Sequence, residues 1–283
     1  MYSGLQGKSA VVTGASSGIG LAVAQHLDEN GVYVVGLDIN TDPRMDGPGF
    51  DDLVETGSLI TGDVRNKDNV DSAFGAAMEN GPVTIVVNNA GITSQGTLEE
   101  IDGEDLKRAF EVHMLGSFNV CKRAVPEMKA EETGSIVNVS SMAALIGWRA
   151  SADYSSMKGA ISSFTRQLSA DYSPYGIRVN AVAPGFIKTA LTADIWQNNK
   201  QADRDSDGES SEDADMAAKN EAVEDAKVGE RVDYDVAKRR TLLPYLGEPD
   251  HVAKVITFLA SEDAGFITGQ VIPVDGGWTI SSL

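Results

Sequence analysis

The 283-residue chain has a single cysteine, Cys121, so it can close no disulfide within itself, and a reducing compartment is the expectation. Cys121 falls in a helical-looking run and reads as a packing residue rather than a nucleophile. Positive charge is also scarce. Lys and Arg number 23 against 42 Asp and Glu, a formal net charge of −19. That balance argues against nucleic acid or an anionic membrane as partner. No apolar run reaches the roughly 18 residues of a membrane-spanning helix, and the N-terminus has no signal-peptide pattern. The expectation is a soluble, cytoplasmic protein. Acidity of this degree is a lever that halophiles use, and a salt-rich cytoplasm is one reading of it; an ordinary acidic protein with its charge concentrated in one segment is the other.

What is present is glycine and patterned apolar sequence. The chain has 29 glycines and 42% hydrophobic residues, enough for a sizeable core in one large domain. Lys8–Thr13 is a β-branched run that reads as a buried strand. It enters Gly14-Ala15-Ser16-Ser17-Gly18-Ile19-Gly20, after which Leu21, Val23, Ala24 and Leu27 show helical spacing up to Gly31. Strand, glycine turn and helix place a pyrophosphate on a helix N-terminus. Gly14 suits the tight turn, Gly18 the approach of backbone to phosphate, and Gly20 the close packing of helix on strand.

A second strand, Val32–Leu37, ends in Asp38. A carboxylate there can accept hydrogen bonds from the adenosine ribose and would repel a 2′-phosphate. No Arg or Lys lies in Ala15–Ser17 or directly after Asp38, so NAD is expected and NADP is the less favoured cofactor. Leu59–Thr61 reads as a third strand followed by Gly62-Asp63-Val64. Asp63 either contacts the adenine amine or caps the next helix, which begins near Asn66. Val83–Val87 is a fourth strand, with Asn88-Asn89-Ala90-Gly91 at its carboxyl end. A long helix is expected from about Asp102 to Ala130, then a strand over Gly134–Ser140, a helix to about Tyr172, and a strand over Ile177–Ala183.

Tyr154 and Lys158 are four residues apart, so on a helix they share a face. An ammonium near a phenol favours the phenolate and draws its pKa down, which suits proton exchange with an alcohol or carbonyl oxygen. Ser141, at the end of the preceding strand, could hold the same oxygen. Alone, a Tyr-x-x-x-Lys pair also occurs on many helix surfaces.

Taken together and in order, several stretches resemble the short-chain dehydrogenase/reductase family. They are Thr13–Gly20, Asn88–Gly91, Ser141 thirteen residues before Tyr154, Tyr154-x-x-x-Lys158, Pro184-Gly185-Phe186-Ile187-Lys188-Thr189 and Val274-Asp275-Gly276-Gly277, and the resemblance covers 5–190 and 240–279. It implies an α/β, Rossmann-like doubly wound parallel sheet of about seven strands in a single domain spanning 1–283. It implies Tyr154 as general acid/base, Lys158 lowering its pKa and holding the nicotinamide ribose, and Ser141 orienting the substrate. Gly14, Ser16, Ser17, Gly18, Ile19, Gly20, Asp38, Asp63, Val64, Asn88, Ala90, Gly91, Pro184, Gly185, Ile187 and Thr189 would join Tyr154 and Lys158 around the cofactor. The family often carries an Asn in the long helix that holds a water in the proton relay; here His113 aligns with it. Imidazole titrates near neutrality, so the relay would survive with a different pH profile, or His113 packs structurally.

The implied activity is hydride transfer between the cofactor and an alcohol or carbonyl carbon. Met142, Trp148, Arg149 and Phe186 are candidate substrate residues. A 3-oxoacyl thioester or small ketone leads, with a sugar or polyol dehydrogenase as alternative. A non-catalytic NAD-binding regulator is the contender of another class, and a scaffold docking a basic partner a third. A homo-oligomer, tetramer or dimer, is expected by family analogy. Residues 198–232 read as an acidic insertion, flexible or a solvated loop, in the substrate-covering segment; its acids miss the spacing of a calcium loop, so no metal is expected.

Overall fold

Seven short apolar segments are strands: β1 (Ser9–Thr13), β2 (Tyr33–Asp38), β3 (Gly57–Thr61), β4 (Val83–Asn88), β5 (Gly134–Val139), β6 (Ile177–Pro184) and β7 (Val271–Val274). In the computed structural model, which describes residues 2–42, 47–94, 96–193 and 234–281, they pair in parallel in the order β3-β2-β1-β4-β5-β6-β7. β1, β4 and β5 are buried along their whole length, as continuous Val/Ile runs covered on both faces must be. The expected insertion at 198–232 lies outside the described residues.

Helices cover both faces. On one, α1 (Gly18–Glu29) packs beside α8 (Pro249–Ala260), and Val23, Leu27, Val252, Ile256 and Leu259 meet the sheet. On the other, α3 (Lys67–Met78), α5 (Gly116–Ala130) and α6 (Ala152–Tyr172) bury Phe74, Val120, Met128 and Leu168. Two short helices, α2 (Phe50–Leu53) and α4 (Gly103–Ala109), lie in the connections, and α7 (Tyr234–Arg240) returns the chain to the core. Because β1 pairs with both β2 and β4, the winding reverses there. The carboxyl ends of β1 and β4 therefore open into the crevice where such sheets bind ligands.

Two helices keep their expected bounds but differ in detail from the sequence pattern. The expected 102–130 helix is continuous but not uniform. Asp102 caps it by accepting from the backbone N–H of Glu104 and Asp105, each at 2.9 Å, and a π-helical turn over Phe110–Leu115 joins α4 to α5. The cap of α3 is Asn66, whose side chain accepts from the Asp68 N–H at 2.8 Å. Asp63 is thus not the cap.

Candidate active site

A cleft of about 430 Å³ runs across the carboxyl ends of the strands. Its floor is the glycine turn. Gly14 has φ +67°, and a Cβ there would lie 2.8 Å from Asn89 Nδ2 and 2.9 Å from Ala90 Cα. At Gly20 a Cβ would collide with the Gly14 carbonyl oxygen, so α1 can sit this close to the turn only without a side chain. Thr13 adds a strut that the sequence did not flag: its Oγ1 accepts from the N–H of Asn89 and of Ala90, each at 3.0 Å. Gly14, Ser17, Gly18 and Ile19 face the cleft, as do Ala90, Gly91, Pro184, Gly185, Ile187 and Thr189.

Asn88 is a correction. It points away from the cleft, donating to Asn138 Oδ1 at 2.8 Å and to Cys121 Sγ at 3.2 Å between β4 and β5. Asn89, one residue on, faces the cleft and ties the turn through the carbonyls of Thr13 and Gly14. Strands alternate their faces, and β4 runs one residue further than expected, through Asn88, so that this side chain stays within the sheet.

Asp38, 6% exposed, closes one end. Its Oδ2 accepts from Ser16 N at 3.1 Å and Ser16 Oγ at 2.7 Å, and its Oδ1 from Asn40 N at 3.0 Å. Ser16 thus acts on the cleft through Asp38 and does not line it. Asp63 and Val64 line the same end, with Asp63 accepting from the Arg65 guanidinium on both carboxylate oxygens. The Arg65 hydrogen bond holds the Asp63 carboxyl below its usual range against the upward push of burial. Arg65 faces this end and Arg108 also lines the cleft, and neither was legible as a site residue.

At the other end lie Ser141, Tyr154 and Lys158. Ser141 caps a 3₁₀ turn (Met142–Ala144), accepting from Ala143 N at 3.1 Å, which fixes its rotamer, and its hydroxyl is hydrogen-bonded to the Tyr154 phenol. Lys158, one turn along α6, donates to Val139 O at 2.7 Å, with Nζ 5.7 Å from the centroid of the Tyr154 ring. Burial lowers its pKa to about 8. The expectation that the phenol is drawn down is not met. Burial pushes Tyr154 up, and the Ser141 hydrogen bond only opposes the rise.

His113 sits in the π-turn, 2% exposed, with its ring 5.7 Å from that of Tyr154 in an edge-on arrangement. Its Nε2 lies 2.8 Å from Ile92 O, which requires the proton on Nε2 and leaves Nδ1 as an acceptor. Nδ1 is buried with no hydrogen-bond partner. Burial first, and the Lys158 charge second, push the His113 pKa down to about 3. The expected titration near neutrality is therefore corrected: this imidazole stays neutral.

The four candidate substrate residues do not line the cleft. Met142 and Phe186 are buried with Trp278, and Trp148 stacks on that pair at 5.6 Å from Phe186 and 5.7 Å from Trp278. Arg149 is exposed.

A model described as short chain dehydrogenase matches residues 8–200, more than half of the chain. The chain belongs to the short-chain dehydrogenase family. A second model, described as Enoyl-(Acyl carrier protein) reductase, matches residues 217–279. Among this family's members, the 3-oxoacyl-(acyl-carrier-protein) reductase FabG of Thermotoga maritima is 31% identical over 98% of this chain and 99% of its own. The cis-4-hydroxycyclohexanecarboxylate dehydrogenase of Sinomonas cyclohexanicum is 34% identical over 95% and 96%. The structure of 3-ketoacyl-(acyl-carrier-protein) reductase from Brucella melitensis complexed with NADH superposes with a TM-score of 0.77 at 25% identity, covering 97% of this chain and 99% of that one. As a short-chain dehydrogenase the protein is an NAD(P)-dependent oxidoreductase acting on CH–OH or carbonyl groups. Its glycine turn fits such a cofactor: a Cβ at Gly14 would press on Asn89 and Ala90, and one at Gly18, at φ +57°, would meet Thr189 across the cleft.

Proposed function

We propose that the protein interconverts a secondary alcohol and a ketone with NAD, using Tyr154 to give and take the proton on the substrate oxygen. The observation that carries the reading is one cleft holding the Ser141–Tyr154 pair and Lys158 at one end and the Asp38 carboxylate at the other. The cofactor, when bound, supplies or accepts the hydride.

Ser141 fixes the substrate oxygen against the Tyr154 hydroxyl, because its lone pair toward Ala143 is already committed. The phenol, held neutral by burial, is poised as an acid for carbonyl reduction. Lys158 holds its ammonium on the Val139 carbonyl and stands beside the phenol as the charge that compensates a phenolate when the proton leaves. His113 presents the Nδ1 lone pair next to this pair, where it can hold the water through which the Lys158 proton is renewed.

Asp38 supports NAD over NADP, since a 2′-phosphate at that end would meet a buried carboxylate. Arg65, which faces the same end, is engaged by Asp63 and by Glu111 at 3.5 Å. Substrates from a 3-oxoacyl thioester to a small ring ketone agree with the relatives' names, and a sugar or polyol is the alternative. We also read the protein as a homo-oligomer, supported by exposed Phe110, Phe118 and Phe266; a monomer mass in solution would refute it.

The test is turnover of NADH and of NADPH with a carbonyl panel, in wild type and Tyr154→Phe. The expected result is a preference for NADH and a loss of roughly 10²–10⁴-fold in turnover with NADH binding retained. NADPH preference would assign Arg65 to a 2′-phosphate. Cofactor binding with no turnover on any carbonyl would favour the regulator.

A further inference from the structure

Asp63 was expected either to cap a helix or to accept the adenine amine. Asn66 caps α3, which removes the first role. The hydrogen bonds of Asp63 speak against the second, because its whole carboxylate is committed to Arg65. Oδ1 accepts from the Arg65 backbone N–H at 2.9 Å, and Oδ2 accepts from Nη2 at 2.6 Å. The Arg65 Nε–H is shared between the two oxygens, at 3.0 and 2.9 Å. A carboxylate has about four acceptor sites, and Arg65 alone fills them.

The pair is held from both sides. The Asp63 N–H donates to Asn69 Oδ1 at 2.9 Å and the Asp63 carbonyl accepts from Asn66 N at 2.9 Å, which fixes the turn. Arg65 Nη1 stands 3.5 Å from Glu111 in the π-turn. Single exposed ion pairs contribute little, but a forked guanidinium–carboxylate pair within a charge network persists. Opening it for one neutral N–H donor exchanges charge-assisted bonds for a weaker one. The pair also lies where a base would. Gly62 N donates to Asp38 O at 2.7 Å and Thr61 pairs with Asp38 across β2 and β3, so the Asp63 turn adjoins the carboxylate assigned to the ribose. Asp38, Ile39, Asp63, Val64 and Arg65 all line the cleft. A guanidinium only donates, so it matches the exocyclic oxygen of hypoxanthine and offers nothing to the exocyclic amine of adenine.

We propose that Arg65 sets the base selectivity of the cofactor site: it withdraws Asp63 from the adenine amine, so that a hypoxanthine dinucleotide is accepted at least as well as the adenine one. This rests on the NAD reading of the cleft given above. Asp63 then serves to hold Arg65 toward the base, and the amine goes unread.

The probes are NADH and reduced nicotinamide hypoxanthine dinucleotide, with binding read by nicotinamide fluorescence in the absence of substrate. Wild type should bind the hypoxanthine dinucleotide as tightly as NADH or up to about tenfold tighter, the worth of roughly one hydrogen bond. Arg65→Ala frees Asp63, which accepts from an amine and repels an exocyclic oxygen, so the order should invert to NADH by about threefold to tenfold. Arg65→Lys, which keeps the charge without the fork, should fall between. Removing Asp63 as well, in the Arg65→Ala, Asp63→Ala double variant, should return the ratio to about unity. A clear preference for NADH in wild type that Arg65→Ala leaves unchanged would overturn the proposal, since Asp63 would then read the amine despite its partner. A ratio that stays the same in every variant would overturn it too, because the base would meet neither residue. If wild type binds neither dinucleotide, the NAD reading itself fails; if it binds both with NADH clearly ahead, only the base assignment does.

Discussion

Lys158 carries opposite weights in stability and in chemistry. Its folded pKa of about 8 lies below the ordinary 10.5, so the fold disfavours its charged form. The cost is full below about pH 8 and is relieved as pH rises toward 10.5; 2.5 units correspond to about 3 kcal/mol. Lys158→Met should abolish turnover yet raise the melting temperature at pH 7, with the gain shrinking by pH 10. A melting temperature that falls at pH 7 would show that the bond to Val139 outweighs desolvation. His113 has the same sign of shift lower on the scale, from 6.5 to about 3. Stability should fall as pH drops below 6.5, because the unfolded chain takes up a proton that the fold refuses, by about 3 kcal/mol near pH 4.5. His113→Asn should remove that slope and leave the pH optimum in place; an optimum that moves would mean the ring titrates during catalysis. Tyr154 and Lys158 were legible because a four-residue spacing fixes a shared face. The sign of the Tyr154 shift was not, because burial depends on what packs over the helix. Asn88 and Asn89 show the limit at single residues: the pair is plain in the sequence, but which one faces the cleft is decided by where β4 ends.

At the scale of elements, the loop after β4 is stitched to the start of α6. Gly96 N donates to Ala150 O at 3.0 Å, Ser94 Oγ donates to Asp153, and Asp153 is 1% exposed in the first turn of α6, where the helix dipole favours a carboxylate. This places Ile92, the partner of His113, and Tyr154 on one rigid corner. Asp153→Ala removes a buried charged acceptor worth about 1.5–3 kcal/mol, so the melting temperature should drop by roughly 3–8 °C and KM for the carbonyl substrate should rise. An unchanged melting temperature would show that the corner does not depend on this stitch. The strands and helices were legible from their periods, but the caps were not: Asp63 was the candidate for α3, and Asn66 holds that place. The π-turn was not. Its extra residue per turn leaves no mark on a 3.6-residue pattern, yet it is what turns His113 inward.

Over the whole molecule, the doubly wound sheet was implied by the family resemblance, and the single hand that crossover connections favour agrees with it; the hydrophobic pattern alone marked strands and helices but not their order in the sheet. That pattern did not separate apolar residues that meet the core from those that meet solvent: Leu106 and Phe110 carry helical spacing and are 45% and 46% exposed. The net charge of −19 acts at this scale as self-repulsion of the compact state. Raising KCl from 0.05 M to about 2 M should raise the melting temperature and hold or increase turnover, since added ions screen charges beyond a few ångströms. Full activity and folding in dilute buffer, lost in molar salt, would sink the salt-adapted reading.

The Ser16–Asp38 contact has a consequence for redesign. Exchanging a dinucleotide cofactor for its phosphorylated relative is commonly imagined as deleting one acidic side chain. Here that carboxylate takes both the backbone N–H and the hydroxyl of Ser16, so it is also a peg on which the pyrophosphate turn hangs. If NAD is the cofactor, as proposed, replacing Asp38 alone to admit a 2′-phosphate would loosen the glycine turn as well. A working switch must therefore rebuild the anchor and the specificity together, for example by pairing a cation after β2 with a new acceptor for Ser16.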